Sequence, residues 1–395
     1  MTAIAHSACL WTGFALAAFA MIYGVMACVA SLRARLTALR GLTAARGLTV
    51  PRDLPAVTML KPLCGAEPET YDCLRSFCDQ AYPEFQVIFG VCDSNDPALA
   101  IVHRLQREFP QRDLQIAIDR RQHGSSRKVS NLINMLPRAR HEFLVLSDSD
   151  VRVERDYLAQ VVAPLLDGGV GIVTCPYRGC PRPGLWSLLG SLFINEWFMP
   201  SVHVSAMAGS RAFAFGATIA IRRHVLASIG GFMAIADQLA DDYRLGELTR
   251  RLSLRTVLSE VVVETCVAEC SFEDLVRHEL RWLRTIRALR PWGYAFSFVT
   301  FGVPVALVGA ALAGGAAPVL ALAGITALAR LVLHFSVRGP GSPTLLQWIA
   351  LPLRDLLSLG LWAWSFVTRN VHWREDLYRV TRDGSAQPVY EEFVR

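Results

Sequence analysis

Apolar and polar positions divide this chain into three zones. The first is an uncharged apolar run over residues 8–30, succeeded by Arg33, Arg35, Arg40 and Arg46. That run is long enough to span a bilayer with some tilt. A secretory signal is shorter, opens on a basic stretch and ends at a small-residue cleavage site, so the run reads as an anchoring helix. By the positive-inside rule the arginines place the second zone in the cytoplasm.

From residue 56, apolar runs of strand length alternate with stretches of helical period. Strands are predicted over 56–60, 85–91, 114–118, 171–174 and 213–221, and in the apolar part of 143–150. Helices are predicted over 69–80, 97–109, 128–136, 151–166 and 271–290, with another opening at Asp241. This alternation predicts an α/β fold with a doubly wound parallel sheet. Residues 184–206 are rich in Trp, Phe and Leu, which suits either a helix against lipid or a core helix.

The third zone is apolar again, with spans expected over 295–313 and 317–333. A further stretch, 345–367, is interrupted by Arg354 and Asp355. Charges at mid-span are costly and face protein or water. Three full spans would also put the basic tail (Arg369, His372, Arg374, Arg379, Arg382) on the wrong side, so 345–367 is expected to be interfacial or re-entrant.

Composition sharpens this picture. Of 395 residues, 52% are hydrophobic and 19% charged, which excludes an ordinary soluble enzyme. The net charge is +6, but the basic residues flank apolar spans. Anionic lipid headgroups, not nucleic acid, are therefore the expected partner. The ten cysteines form no CxxC pair and read as reduced thiols.

The chemistry-bearing stretch is Phe143-Leu144-Val145-Leu146-Ser147-Asp148-Ser149-Asp150. Carboxylates at the carboxyl end of a buried strand sit where open α/β sheets bind ligands. Residues i and i+2 share one side, so Asp148 and Asp150 can converge on a divalent cation bridging a diphosphate. The plain alternative is a polar turn with Asp as helix cap. Asp93 ends the second strand and is either a ligand group or an N-cap. Asp241 and Asp242 open a helix, as dipole complement or as general base. Lys128 either meets a diphosphate or is solvated. The helix 271–290 carries His278, Arg281, Trp282, Arg284 and Arg287, which read as a membrane-surface face or a phosphate clamp.

Taken together, Asp93, Asp148, Asp242 and His278-Glu279-Leu280-Arg281-Trp282 resemble the motif set of membrane-bound, inverting glycosyltransferases of the ceramide glucosyltransferase type. Their last signature is (Q/R)xxRW, so His278 departs from it. Asp148-Ser149-Asp150 departs from the Asp-Ser-Gly of the animal members. The phrases Arg127-Lys128-Val129-Ser130-Asn131-Leu132 and Phe213-Ala214-Phe215-Gly216-Ala217-Thr218 look most like the bacterial hopanoid-biosynthesis branch. The resemblance implies a GT-A (Rossmann-like) cytoplasmic domain with transmembrane helices at both ends, in a bacterial inner membrane. It implies a UDP-sugar donor, Mg²⁺ or Mn²⁺ on Asp150 and Asp148, and Asp242 as the base. Asp93 would bind uracil or ribose, Lys128 and Arg281 the diphosphate, and Trp282 would wall the acceptor. N-acetylglucosamine transfer to bacteriohopanetetrol is the expected reaction, glucose transfer to ceramide the alternative, and a processive polysaccharide synthase the second alternative.

The expected division is an N-terminal span (1–32), a basic linker (33–55), the catalytic domain (56–270), an interfacial signature helix (271–292), C-terminal membrane segments (293–370) and a polar tail (371–395).

Overall fold

The computed structural model describes residues 3–45, 54–337, 345–373, 376–381 and 384–389. Arg46, Arg374 and Arg382 of the expected basic flanks lie outside them. The chain forms two compact units. One, mainly helical, comprises 1–40, 181–209 and 267–383; the other, α/β, comprises 41–180, 210–266 and 384–395. The expected catalytic domain over 56–270 is thus interrupted, because the aromatic stretch belongs to the helical unit.

The α/β unit is built on a seven-stranded sheet of order β3-β2-β1-β4-β8-β6-β9. These strands are β1 (Val57–Pro62), β2 (Phe85–Val91), β3 (Asp113–Ile118), β4 (Phe143–Leu146), β6 (Val170–Thr174), β8 (Ile219–Arg222) and β9 (Arg255–Leu258). β2 and β6 are buried along their whole length, as near-continuous apolar strands of a covered sheet must be. Leu60, Ile88, Leu144, Ile172 and Ile221 form one core with Val129, Leu132 and Leu245 of two flanking helices.

The sheet is mixed, not all parallel as expected. β1 to β4 run parallel, but β8 is antiparallel to both β4 and β6. The predicted strand 213–221 is shorter, and 213–218 forms the loop leading into β8. Because β8 runs backwards, that loop arrives at the carboxyl edge of β4, where Asp148 lies. The predicted helix 151–166 instead starts as a short strand, β5 (Val151–Arg152), before Tyr157–Val162 turns helical. β5 pairs with β10 (Val263–Val267), which also meets β7 (Tyr177–Pro181).

In the helical unit, Ala3–Ala45 is one helix, so part of the expected linker is helical. Among the described residues two helices, within residues 4–38 and 317–337, are long and apolar enough to cross a membrane. Their outward faces expose Trp11, Phe19, Leu328 and other large apolar side chains, which suits lipid contact. The span expected over 295–313 is not one helix. It bends by 76° between Pro291–Thr300 and Gly302–Leu312. Residues 185–207 form a helix with a π-helical turn at Ile194–Phe198. Leu188, Leu189 and Leu192 are buried against Leu275 and Ala350, so the core alternative describes this face of it.

The charges interrupting 345–367 are resolved by pairing. Helix Leu345–Trp364 buries Arg354, whose guanidinium grips Glu279 through two bonds of 2.6 and 2.7 Å. Asp355 receives Arg330 at 3.0 Å. Replacing Arg354 by Met leaves Glu279 charged and buried. The expected cost is about 3–5 kcal/mol, read as a lower unfolding temperature in detergent, with most of it recovered when Glu279 also becomes Met.

Candidate active site

Four carboxylates and the chain's two lysines meet at the carboxyl edge of β1 and β4. Lys61, on β1, is fully buried; its Nζ donates to Ser147 Oγ at 3.2 Å and to the Asp148 carbonyl. Burial pulls this ammonium down to about 8, against the opposing pull of Cys73, Asp148 and Asp150. Lys128 sits in the first turn of helix Arg127–Met135, which begins there because the Ser126 side chain accepts from the Val129 N–H. Its Nζ lies 2.7 Å from Asp148 Oδ1 and 3.2 Å from Asp241 Oδ2. Burial works against that charge, but Asp148, Asp241 and Asp242 raise its pKa nonetheless.

Asp241 and Asp242 open helix Asp241–Arg251, as expected. Asp241 does not cap it; it pairs with Lys128. Asp242 accepts the Gly216 N–H at 2.9 Å and the Tyr243 N–H at 2.7 Å. Burial first, then the Asp241 charge, push its carboxyl up to about 6, against Lys128 and the two N–H donors. Gly216 also accepts from the Asp148 N–H through its carbonyl. A Cβ there would lie 2.8 Å from Asp148 Oδ2 and 3.1 Å from Lys128 Nζ. Gly216→Ala is therefore expected to lower kcat/KM for the donor by about 100-fold, measured by steady-state kinetics, since displacements near 1 Å have that effect on a reacting array.

Asp150 is held from the far side. Thr265 Oγ1 donates to its Oδ2 at 2.7 Å, and the Cys266 N–H to its carbonyl at 2.9 Å. Burial, and then the Asp148 charge, raise its carboxyl. A neighbouring pair of carboxylates with repelling charges suits a hard cation. Among the described residues no group of three or more His, Cys, Asp or Glu is arranged to hold a metal. The pair fits the Mg²⁺ or Mn²⁺ pattern of one or two carboxylates completed by substrate phosphates and water.

Asp93 lies on the same sheet edge, two strands from β4. It is exposed and accepts from the Asn95 N–H and from Arg120 at 2.8 Å, and both hold its pKa down. It is not an N-cap: Asp96 accepts the Ala98 N–H instead. The solvated alternative for Lys128 is likewise set aside by its ion pairs. Lys61 escaped sequence reading; the signal was its rarity, one of two lysines among 40 basic residues. The C-terminal segment escaped it too. Its Gly384 carbonyl and Ala386 N–H bond to Leu239 and Asp237, just before the paired acids.

Arg281 and Trp282 belong to the helical unit, on helix Phe272–Leu289. The Trp282 ring packs 5.4 Å from Phe198 and edge-on to His278. His278 is not a bare surface histidine: its Nδ1 is 2.6 Å from Glu269 Oε1.

Residues 12–386 match glycosyl transferase family 21. The chain belongs to this family. Similar proteins include ceramide glucosyltransferase 1 of Caenorhabditis elegans, 21% identical over 60% of this chain and 51% of that protein. The ceramide glucosyltransferase of Gibberella zeae is 28% identical over 31% of this chain and 25% of its own length. The chain thus spans about half or less of these curated relatives. Among solved structures, a Pyrobaculum calidifontis mannosyltransferase in complex with GDP-Man and Mn²⁺ superposes with a TM-score of 0.48 at 20% identity, covering 89% of this chain and 95% of that one. The α/β fold expected of this family 21 chain is present, on a mixed sheet.

Proposed function

We propose that this family 21 chain is an inverting glycosyltransferase that moves a hexose from a UDP-sugar to the hydroxyl of a membrane lipid. The supporting observation is the array of Asp148, Lys128, Asp241 and Asp242 around Gly216, at the carboxyl edge of the sheet. The ceramide glucosyltransferases among its relatives favour glucose transfer to a ceramide-like lipid. This reverses the order expected from sequence, since no finding supports N-acetylglucosamine or a hopanoid acceptor.

In this reading Asp242 takes the proton of the lipid hydroxyl as its oxygen attacks the anomeric carbon from the face opposite UDP. The bond to the UDP oxygen breaks in the same displacement, and configuration inverts. Asp242 suits the task because its carboxyl titrates near 6, ionised at neutral pH yet more basic than an ordinary carboxylate. Gly216 and Tyr243 N–H groups orient it. Lys128 holds Asp241 and Asp148 in place between the base and the donor side. A divalent cation on Asp148 and Asp150 would neutralise charge on the departing diphosphate. Asp93 at the sheet edge is assigned to the nucleoside, Arg281 to the diphosphate and Trp282 to the acceptor wall.

The helical unit is read as membrane-embedded, with Arg33, Arg35 and Arg40 on the cytoplasmic side of the first span and the catalytic unit on that same side, in a bacterial inner membrane. A lipid acceptor gives such an embedding a chemical purpose, since each buried CH₂ resists extraction by about 0.8 kcal/mol. The test is to incubate purified protein with labelled UDP-glucose and UDP-N-acetylglucosamine against ceramide and bacteriohopanetetrol. Glucosylceramide is the expected product. Absence of transfer to any lipid would overturn the reading.

A further inference from the structure

Asp150, the carboxylate assigned to the cation, is held by one short stretch of β10. Thr265 Oγ1 donates to its Oδ2 at 2.7 Å, and the Cys266 N–H donates to its carbonyl at 2.9 Å. The Cys266 side chain meets a second thiol. Its Sγ lies 3.5 Å from Cys73 Sγ, although the two residues are 193 apart in sequence. All of these residues belong to the α/β unit. One strand position therefore bonds the metal-site carboxylate through its backbone and touches a cysteine through its side chain. Packing alone calls for small apolar side chains here and not for two sulfurs in contact.

The two members of the pair differ in freedom. Cys73 is 1% exposed, on helix Thr70–Cys78. That helix is fixed from behind. Ser76 Oγ accepts the Val153 N–H at 3.1 Å, and Phe77 packs edge-on to Tyr157 at 5.7 Å. Gln80, just beyond the helix, accepts the Leu158 N–H at 3.0 Å and donates to the Glu154 carbonyl at 2.9 Å. Cys266 is half-buried, in the small sheet β5-β10-β7. It is the thiol that a small oxidant reaches and the side that can yield. A disulfide needs its sulfurs about 2.05 Å apart, so closure draws the pair together by roughly 1.5 Å.

We propose that Cys73 and Cys266 are a modification site for hydroperoxides, forming a reversible disulfide that shuts the candidate active site by drawing β10 away from Asp150. The inference rests on the assignment of Asp150 to the cation. The Cys266 sulfur attacks the terminal oxygen of the hydroperoxide, the O–O bond breaks, and the thiol proton leaves with the other oxygen as water or an alcohol. A sulfenic acid remains on Cys266. The Cys73 sulfur then attacks that sulfur, the S–O bond breaks, and the Cys73 proton leaves with the hydroxide as water. The two thiols lose two electrons and the peroxide gains them. On the reducing side of a membrane such a pair rests as thiols, and disulfides there are transient and redox-sensing.

The experiment uses the full-length protein in detergent, titrated with hydrogen peroxide. Remaining thiols are blocked with N-ethylmaleimide and the unreduced digest is read by mass spectrometry. This separates the pair from the exposed Cys64, Cys92 and Cys270, which oxidise too. Mn²⁺-dependent UDP binding and sugar transfer are measured before oxidation, after it, and after dithiothreitol. The expected product is a peptide joining Cys73 to Cys266 within one chain. With it, UDP binding in Mn²⁺ weakens by about 10-fold and transfer falls by about 100-fold, the scale of a displacement near 1 Å at a reacting array. Dithiothreitol should return both to within about twofold. Cys73→Ser should match wild type when reduced and change by no more than about twofold on oxidation. Cys73→Ala replaces it should the buried serine prevent folding.

Oxidation of other cysteines with no bond between Cys73 and Cys266 overturns the inference. So does a mapped bond that leaves UDP binding and transfer unchanged, or an equal loss in Cys73→Ser and Cys73→Ala. A mapped bond with reversible loss of UDP binding, in protein that transfers sugar to no lipid even when reduced, keeps the inference and removes only the lipid-transfer reading. Transfer to lipid by protein in which the bond never forms keeps that reading and removes the inference.

Discussion

Asp242→Asn is expected to lower sugar transfer by about 1,000-fold while leaving donor binding near the wild-type level. The change keeps the shape, but Gly216 and Tyr243 donate to different carboxylate oxygens, so the amide oxygen keeps one of the two N–H contacts, and the lone pair that accepts the proton is removed. Stability should move the other way. The Asp242 carboxyl titrates near 6 in the folded chain, above its unfolded value near 4. Between those pH values the folded state holds a proton that the unfolded state releases. Stability from this group is therefore present at low pH and falls as pH rises through about 6. At pH 7.5 the buried carboxylate is a strain that Asn relieves, by something on the order of 1–3 kcal/mol. A melting temperature equal to or above wild type, with turnover lost, fits a base held in a costly state. Turnover within 10-fold of wild type in a folded Asp242→Asn protein would remove Asp242 as the base.

The same titration gives the pH profile its direction. Transfer requires the carboxylate, so kcat/KM should climb through a limb near pH 6 and level off above it.

Most of the catalytic sheet was legible because β1 to β4 are short, apolar and separated by helices of clear period. The two acids after β4 came out of that pattern, and Asp241 and Asp242 out of their place at a helix start. What was not legible was long-range. Nothing local in 213–221 says that the segment runs antiparallel, and that reversal is what brings Gly216 against Asp148 and Asp242. Lys61 reads as the polar end of a strand; only the fold buries it beneath the Asp148 carbonyl. The π-helical turn and the break at Phe301 carry no composition that separates them from ordinary apolar helix. Arg354 and Asp355 were visible as misfits, but their partners, Glu279 and Arg330, lie far away in sequence. Short phrases such as Phe213-Ala214-Phe215-Gly216 lie in the loop that meets Asp148 and Asp242 and do not report on the lipid.

Lys128→Met should be damaging too, about tenfold less so than loss of the base, and for a reason that its pH dependence exposes. One ammonium lies within 2.7 and 3.2 Å of Asp148 and Asp241 and also acts electrostatically on Asp242. Met fills similar space without charge, leaving three carboxylates to repel one another in a poorly solvated corner. Lys128 lowers the Asp242 pKa, so its removal must raise it further. At pH 7 more of the base is then protonated, about a twofold effect for a one-unit shift, and the mutually repelling carboxylates leave their positions, so the loss in kcat/KM is expected to reach about 100-fold. Part of it should return on raising the pH, because the acid limb moves upward by about one unit or more. Lys128→Arg retains charge but cannot place a compact ammonium between two carboxylates, so an intermediate rate with a smaller limb shift is expected. A uniform loss at every pH, with the limb unmoved near 6, would mean that Lys128 serves the donor phosphates alone and has no part in tuning the base.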